Sequence, residues 1–184
     1  MKNNSLLLTS LNNYYKMQHL NIEIKAKVSN ISKIRNILLS KKAKFIGIDK
    51  QTDTYFDVKN GRLKLREGNI ENNLIFYERS NKKEPKQSDV NLYKSVPKSE
   101  LKTILSKAVG IKVVVEKERE IYFIENVKFH IDRVKNLGTF VEIEAIDKKG
   151  TIGIEKLTEQ CNYYLNLFEI TENDLLSTSY SDMI

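Results

Sequence analysis

The sequence predicts an α+β fold in which antiparallel strands enclose a closed, charged interior, and three observations lead there. Three stretches, Glu23-Ile24-Lys25-Ala26-Lys27, Arg62-Leu63-Lys64-Leu65-Arg66 and Val141-Glu142-Ile143-Glu144, alternate charged with apolar residues. A period of two makes each a strand with one wholly ionised face. Turn residues such as Lys59-Asn60-Gly61 and Asn136-Leu137-Gly138 join strand-like runs at hairpin spacing, which makes the runs antiparallel neighbours. Segments with helical apolar periodicity lie between and after them. One such strand alone would turn its charged face to water. Taken together, a Glu-x-Glu strand, a Glu-x-Lys-x-Lys strand and an Arg-x-Lys-x-Arg strand suit an interior that holds divalent metal beside a polyphosphate chain.

Residues 1–20 are Asn-rich and read as a mobile extension; their apolar run Leu6-Leu7-Leu8 is too short for a signal-peptide core or a membrane span. Met17, just ahead of the first strong strand, is an alternative start. Residues 21–28 form the first strand, and Ser29 or Asn30 caps a helix whose Ile31, Ile34, Ile37 and Leu38 make one apolar stripe. Three strands follow: 45–58, with a break expected near Asp49, then 62–67 and 74–80. Residues 81–89, with Lys82, Lys83 and Lys86, form a loop that is either a basic lid or a solvated connection.

The second half echoes the first. A strand over 90–96 precedes a helix over 99–108 that Gly110 closes, and a long strand over 111–124 carries Lys117 and Arg119 on one face and Glu116, Glu118 and Glu120 on the other. Alternation alone leaves open which of these faces meets water. Strands over 128–134 and 139–146 come next, then a helix over 151–167 whose Ile154, Leu157, Cys161, Tyr164, Leu165 and Phe168 cover the barrel exterior. Residues 177–184 read as a C-terminal tail.

At 184 residues and a net charge of +7, the chain is one domain that favours anionic partners. Nonspecific nucleic-acid binding is disfavoured, because glutamates facing the basic strands account for much of that charge. Cys161 is a packed, reduced core thiol, which fits a cytoplasmic setting. His19 and His130 are too separated for a metal site, and there is no Gly-x-x-x-x-Gly-Lys loop. Tyr55 and Tyr77 are candidates for the tunnel mouth.

Asn21-Ile22-Glu23-Ile24-Lys25-Ala26-Lys27, Asp53-Thr54-Tyr55-Phe56, Gly61-Arg62-Leu63-Lys64-Leu65-Arg66-Glu67, Tyr77-Glu78-Arg79, Val115-Glu116-Lys117-Glu118-Arg119 and His130-Ile131-Asp132-Arg133 through Glu142-Ile143-Glu144 occur in that order. The set resembles the CYTH superfamily, the triphosphate tunnel metalloenzymes, and within it the class IV adenylyl cyclase-like proteins. The resemblance implies a closed eight-stranded antiparallel β-barrel, the triphosphate tunnel, with helices packed outside, over a domain at 21–176. It also implies Mg²⁺ or Mn²⁺ held by glutamates and a triphosphate held by basic residues. Asn21 stands where the family has its first glutamate, which removes one negative charge from the metal side.

On that reading Glu23, Glu142 and Glu144 are metal ligands. Lys25, Lys27, Lys64, Arg66, Arg79, Lys117 and Arg119 contact phosphate, the arginines gripping two oxygens and the lysines acting as point charges. Glu23, Lys25, Arg66, Arg119 and Asp132 are the catalytic candidates, and Arg62 and Arg133 sit equally well at the surface. The implied function is a metal-dependent enzyme on ATP, tripolyphosphate or thiamine triphosphate, either a cyclase forming cyclic AMP and pyrophosphate or a phosphohydrolase. A triphosphate-binding module without turnover is the third alternative. No membrane partner is expected, and a homodimer is compatible with the sequence.

Overall fold

A computed structural model describes residues 19–78 and 86–184. The alternating segments become eight strands: β1 (His19–Lys27), β2 (Lys44–Phe56), β3 (Arg62–Glu67), β4 (Asn72–Glu78), β5 (Lys86–Lys94), β6 (Ile111–Ile124), β7 (Val127–Val134) and β8 (Gly138–Asp147). Three helices accompany them: α1 (Ile31–Ser40), α2 (Leu101–Val109) and α3 (Ile154–Leu167). The strands close into a barrel in the order β1-β5-β4-β3-β2-β6-β7-β8, with β8 pairing back onto β1 and every pair antiparallel.

The two halves of the chain, β1-α1-β2-β3-β4 and β5-α2-β6-β7-β8, have the same element order. Exchanging β1 with β5, β2 with β6, β3 with β7 and β4 with β8 maps the ring onto itself, so the barrel has two-fold topology. The helices break that equivalence. Asn30 caps α1 by accepting the Lys33 N–H at 3.0 Å, and Ile34 and Leu38 are buried, whereas α2 buries no residue.

The apolar core lies outside the barrel wall, and the wall's inner face is charged. Ile22, Ile24, Phe129, Ile131, Val141 and Ile143 point outward into a cluster with Ile34 and Leu38 of α1 and Leu157, Cys161, Tyr164, Leu165 and Phe168 of α3. Phe129 meets the Tyr164 ring edge-on at 4.6 Å. With one face of the wall sealed by helices, the alternate residues have no place but the interior.

Several boundaries differ from the sequence expectation for identifiable reasons. His19 and Leu20, expected in the extension, belong to β1, where they pair with β5; the rest of the extension lies outside the described residues. β2 does not break at Asp49. Its carboxylate is fully buried and accepts the N–H groups of Ile70 and Glu71 at 2.8 and 2.9 Å, which fastens the β3–β4 turn to the strand. The irregularity sits earlier, between Phe45 and Gly47, where Gly47 has φ 150° and a Cβ would lie 2.8 Å from Ile70 Cδ1. α3 starts at Ile154, not near residue 151, because Asp147 accepts the N–H groups of Lys149, Thr151, Ile152 and Gly153 and holds that stretch as a loop.

The expected tail is packed against one end of the barrel. Leu175 bridges to Ala26, and the Leu176 N–H donates to the Lys25 carbonyl at 2.9 Å. Tyr180 is buried in a second cluster with Tyr55, Val115, Val134 and Phe140. No helix among the described residues is long and apolar enough to cross a membrane.

Candidate functional site

The charged face of β6 that turns inward is Lys117 and Arg119, and barrel closure settles the choice: Glu116 is exposed, Glu118 is half-buried, and Glu120 is buried outside the cavity by a bidentate bond from Arg35 at 2.6 and 2.9 Å. The inward residues of all eight strands surround a cavity of ≈ 150 Å³. Lys64, Arg66, Lys117 and Arg119 from β3 and β6 form one wall, and Glu23, Lys25, Glu142 and Glu144 from β1 and β8 form the facing one. Tyr55, Ile75, Tyr77, Val90 and Leu92 make an apolar shelf beside Lys64.

The basic wall is organised by Asp53, a residue of the ordered motif set that carried no site assignment. Arg66 donates to both of its oxygens at 2.8 and 2.9 Å, Lys117 reaches it at 2.6 Å and Lys64 at 3.2 Å. Burial by itself would raise this carboxyl, but Arg66, Lys117 and Lys64 hold it well below the usual carboxylate range. Burial also pulls Lys117 down to about 7, with Arg66, Arg119 and Lys64 acting in the same direction and Asp53 against it. Glu71 extends the network, accepting from Arg66 at 2.9 Å and from Lys128 at 2.6 Å.

On the other side Arg119 grips Asp132 through Nε at 2.7 Å and Nη2 at 2.6 Å, and Nη2 also reaches Glu142 at 2.9 Å. Asp132 is fully buried and does not line the cavity; it touches the site through two lining residues, Arg119 and Tyr180. Glu142 further meets His130 Nδ1 at 3.2 Å and Lys25 Nζ at 3.7 Å. Despite burial, Lys25, His130 and Arg119 keep the Glu142 carboxyl well below its ordinary value. Burial, joined by Arg119 and Lys128, drives His130 down to about 3, so its imidazole is neutral, and Nε2 has no partner among the described residues.

Glu144 has the opposite character. Burial raises its carboxyl, and Glu142 and Glu71 push the same way against Lys128. Its hydrogen-bond donor is Asn21, whose Nδ2 lies 2.7 Å from Oε1. A glutamate at position 21 would repel Glu144; the amide binds it. Glu23 stands directly across from Glu144 in the β1–β8 register.

These carboxylates fit a hard divalent cation through the chemistry of their oxygens. Among the described residues no three His, Cys, Asp or Glu side chains form a ready-made metal cage. A small cation such as Mg²⁺ needs none, since it is commonly held by one or two carboxylates, with substrate phosphates and waters completing the shell. Glu23 and Glu144 are the pair best placed, with Glu142 beside them already engaged by cations.

Of the residues expected from sequence, Glu23, Lys25, Lys64, Arg66, Lys117, Arg119, Glu142 and Glu144 converge on the cavity, as do Tyr55 and Tyr77. Lys27 is exposed at the end of β1, outside the lining, and Arg79 lies outside the described residues. Arg133 is at the surface, 3.3 Å from Glu118 and Glu120, and Arg62 pairs with Asp182 at 3.0 Å. Asp53, Glu71, Lys128, His130, Ser179 and Tyr180 were not among the expected site residues. The alternation in β7 signalled Lys128 and His130, which share the inward parity of Asp132; no local pattern marks Glu71 or Tyr180.

The CYTH domain family model matches residues 19–176. No curated protein matches the chain. Solved structures that are similar include the PH1012 protein from Pyrococcus horikoshii, at 25% identity and TM-score 0.77 over 89% of this chain and 99% of that one. A Vibrio parahaemolyticus protein described as a candidate adenylate cyclase superposes with TM-score 0.70 at 16% identity, over 89% of this chain and 97% of its own. A Hippeastrum candidate adenylyl cyclase, described as having a dominant triphosphatase activity, does so with TM-score 0.57 at 14% identity, over 89% and 93%.

Proposed function

Since the chain belongs to the CYTH domain family, we propose that it is a divalent-metal-dependent enzyme that holds the triphosphate of its substrate inside the barrel and hydrolyses a phosphoanhydride bond. The observation that carries this reading is the pair of facing walls, four cations held in place by buried carboxylates opposite Glu23, Glu142 and Glu144 across one cavity. Lys64, Arg66, Lys117 and Arg119 bind the phosphate oxygens and fix the chain in line. Because Asp53 and Asp132 already orient both arginines, little reorganisation is needed as charge builds on the departing oxygen. A divalent cation held by Glu23 and Glu144 would supply further neutralisation of phosphate charge.

Hydrolysis is favoured by size. The cavity of ≈ 150 Å³ lies below the roughly 300 Å³ at which pockets begin to enclose a drug-sized ligand, and suits a short polyphosphate. In the reaction a water oxygen attacks the terminal phosphorus, the bond to the bridging oxygen breaks, and tripolyphosphate yields orthophosphate and pyrophosphate. A second reading, cyclisation of ATP by attack of the ribose 3′-hydroxyl on the α-phosphorus, is favoured by the shelf of Tyr55, Ile75, Tyr77 and Leu92, which could seat a base.

Product analysis with Mg²⁺ or Mn²⁺ and either tripolyphosphate or ATP tests these readings, with Glu144→Gln as control. Orthophosphate from tripolyphosphate, lost in the control, is the expected result. Cyclic AMP with pyrophosphate would replace hydrolysis by cyclisation. Tight binding without any product would leave a binding module, and neither binding nor product would end the triphosphate reading.

A further inference from the structure

The matched family domain stops at residue 176, yet the chain beyond it reaches the cavity, where Ser179 and Tyr180 are part of the lining. From this we infer that Tyr180 is a positioning residue of the site, holding Arg119 through Asp132 and seating the Lys25 ammonium on its ring. The inference rests on the triphosphate reading for its kinetic consequences and on geometry for the rest.

The Tyr180 hydroxyl donates to Asp132 Oδ2 at 2.8 Å, on the same carboxylate that takes Arg119 Nε and Nη2. Burial, together with Asp132 and Glu142, keeps the phenol protonated, so it stays a donor at any working pH. Nε and Nη2 of Arg119 are thereby committed to Asp132 and Glu142. Among the described residues Nη1 has no hydrogen-bond partner, which leaves its donors for substrate. Lys25 Nζ lies 3.9 Å from the centre of the Tyr180 ring and 3.7 Å from Glu142, the two contacts that fix where its charge sits.

Tyr180 is itself firmly held. Its ring packs on Phe140 at 5.0 Å, inside the cluster with Tyr55, Val115 and Val134. Ser179 and Asp182 form a capping box around the turn that carries it, and Asp182 receives Arg62 at 3.0 Å. Arg62, left open as a surface residue by the sequence, thus ties the segment to β3.

Two substitutions separate the two contacts. Tyr180→Phe keeps the ring under Lys25 and removes the bond to Asp132; it is expected to lower kcat for tripolyphosphate roughly tenfold while KM changes little, since loosening Arg119 matters most as charge builds. Tyr180→Leu removes the ring as well and is expected to raise KM in addition. In an Arg119→Ala background, Tyr180→Phe should cause no further loss, because the residue through which it acts is gone. A purely structural role predicts equal losses in both backgrounds and would overturn the inference, as would an unaltered kcat in the single variant. Nuclear magnetic resonance of the Arg119 Nε–H gives a reading independent of turnover. Its exchange protection should fall in Tyr180→Phe; unchanged protection would overturn the inference even if the wild type cleaves nothing, whereas a fall in the variant alongside a wild type that cleaves nothing would sink only the triphosphate reading.

Discussion

The two halves of the barrel each carry one buried arginine–aspartate pair between neighbouring strands, with the polarity reversed. In the first half the acid is on β2 and the arginine on β3, Asp53 opposite Arg66; in the second the arginine is on β6 and the acid on β7, Arg119 opposite Asp132. Both pairs are bidentate. Their surroundings differ. Asp53 also binds Lys117 and Lys64, so that side presents surplus positive charge to the cavity, whereas Arg119 is shared between Asp132 and Glu142 and is fully offset. The same cross-strand device therefore serves two ends: one acid gathers cations that would otherwise repel one another, and two acids immobilise a single arginine. A field directed from β3 towards β8 follows from that asymmetry, with phosphate suited to one side and metal to the other.

The sharpest way to break the comparison is to remove each acid. Asp53→Ala takes the acid from Lys117 and Lys64 and leaves Arg66 with Glu71 alone, and it is expected to destabilise the fold by about 3–5 kcal/mol, read by chemical denaturation. Asp132→Asn should cost less, because Arg119 keeps Glu142 and the amide oxygen can still accept one bond. Equal losses at the two sites would mean that the extra lysines on Asp53 contribute nothing.

Lys117 sharpens it through pH. Its folded value, pulled to about 7, lies below the ordinary lysine value of 10.5, so the unfolded chain binds more protons between those limits. Stability therefore rises with pH across that window, and below about pH 7 the term is constant. Lys25, also lowered by burial, acts with the same sign. Lys117→Met should flatten the rise measured between pH 7 and pH 10 on this scale, and an identical slope in the variant would remove Lys117 as its source. Binding of tripolyphosphate should take up protons near pH 8, because the anion restores the ammonium form; calorimetry in two buffers of different ionisation enthalpy reads the uptake.

The smallest effect is expected on the acidic side. Asn21→Glu exchanges the 2.7 Å bond to Glu144 for repulsion, so the variant should melt lower than the wild type in chelator and recover as Mg²⁺ is added. A melting temperature insensitive to Mg²⁺ in the variant would count against metal at this corner.

Much of the site was legible because a period of two is a strong local signal. Glu23, Lys25, Lys64, Arg66, Glu142 and Glu144 reach one cavity as their alternation implied. Helix stripes were readable in α1 and α3, since apolar residues must be covered, except that Ile154, expected in the α3 stripe, is exposed at the first position of the helix. What stayed hidden depends on pairings far apart in the chain: Lys117 with Asp53 across 64 residues, Tyr180 with Asp132 across 48, Lys128 with Glu71 across 57. Lys27 shares the parity of Lys25 but lies at the strand end, and parity says nothing about how far the cavity extends.

By itself, then, the sequence determined which residues alternate, where the chain turns and which faces must be kept from water, because those follow from backbone geometry and hydrophobic burial over a few residues. Only the tertiary structure decided which charged face of β6 looks inward, that Asp53 gathers the basic wall and that the C-terminal segment enters the site. Alternation is symmetric between a strand's two faces; closing the ring and laying α1 and α3 over one side of the wall is what makes them different.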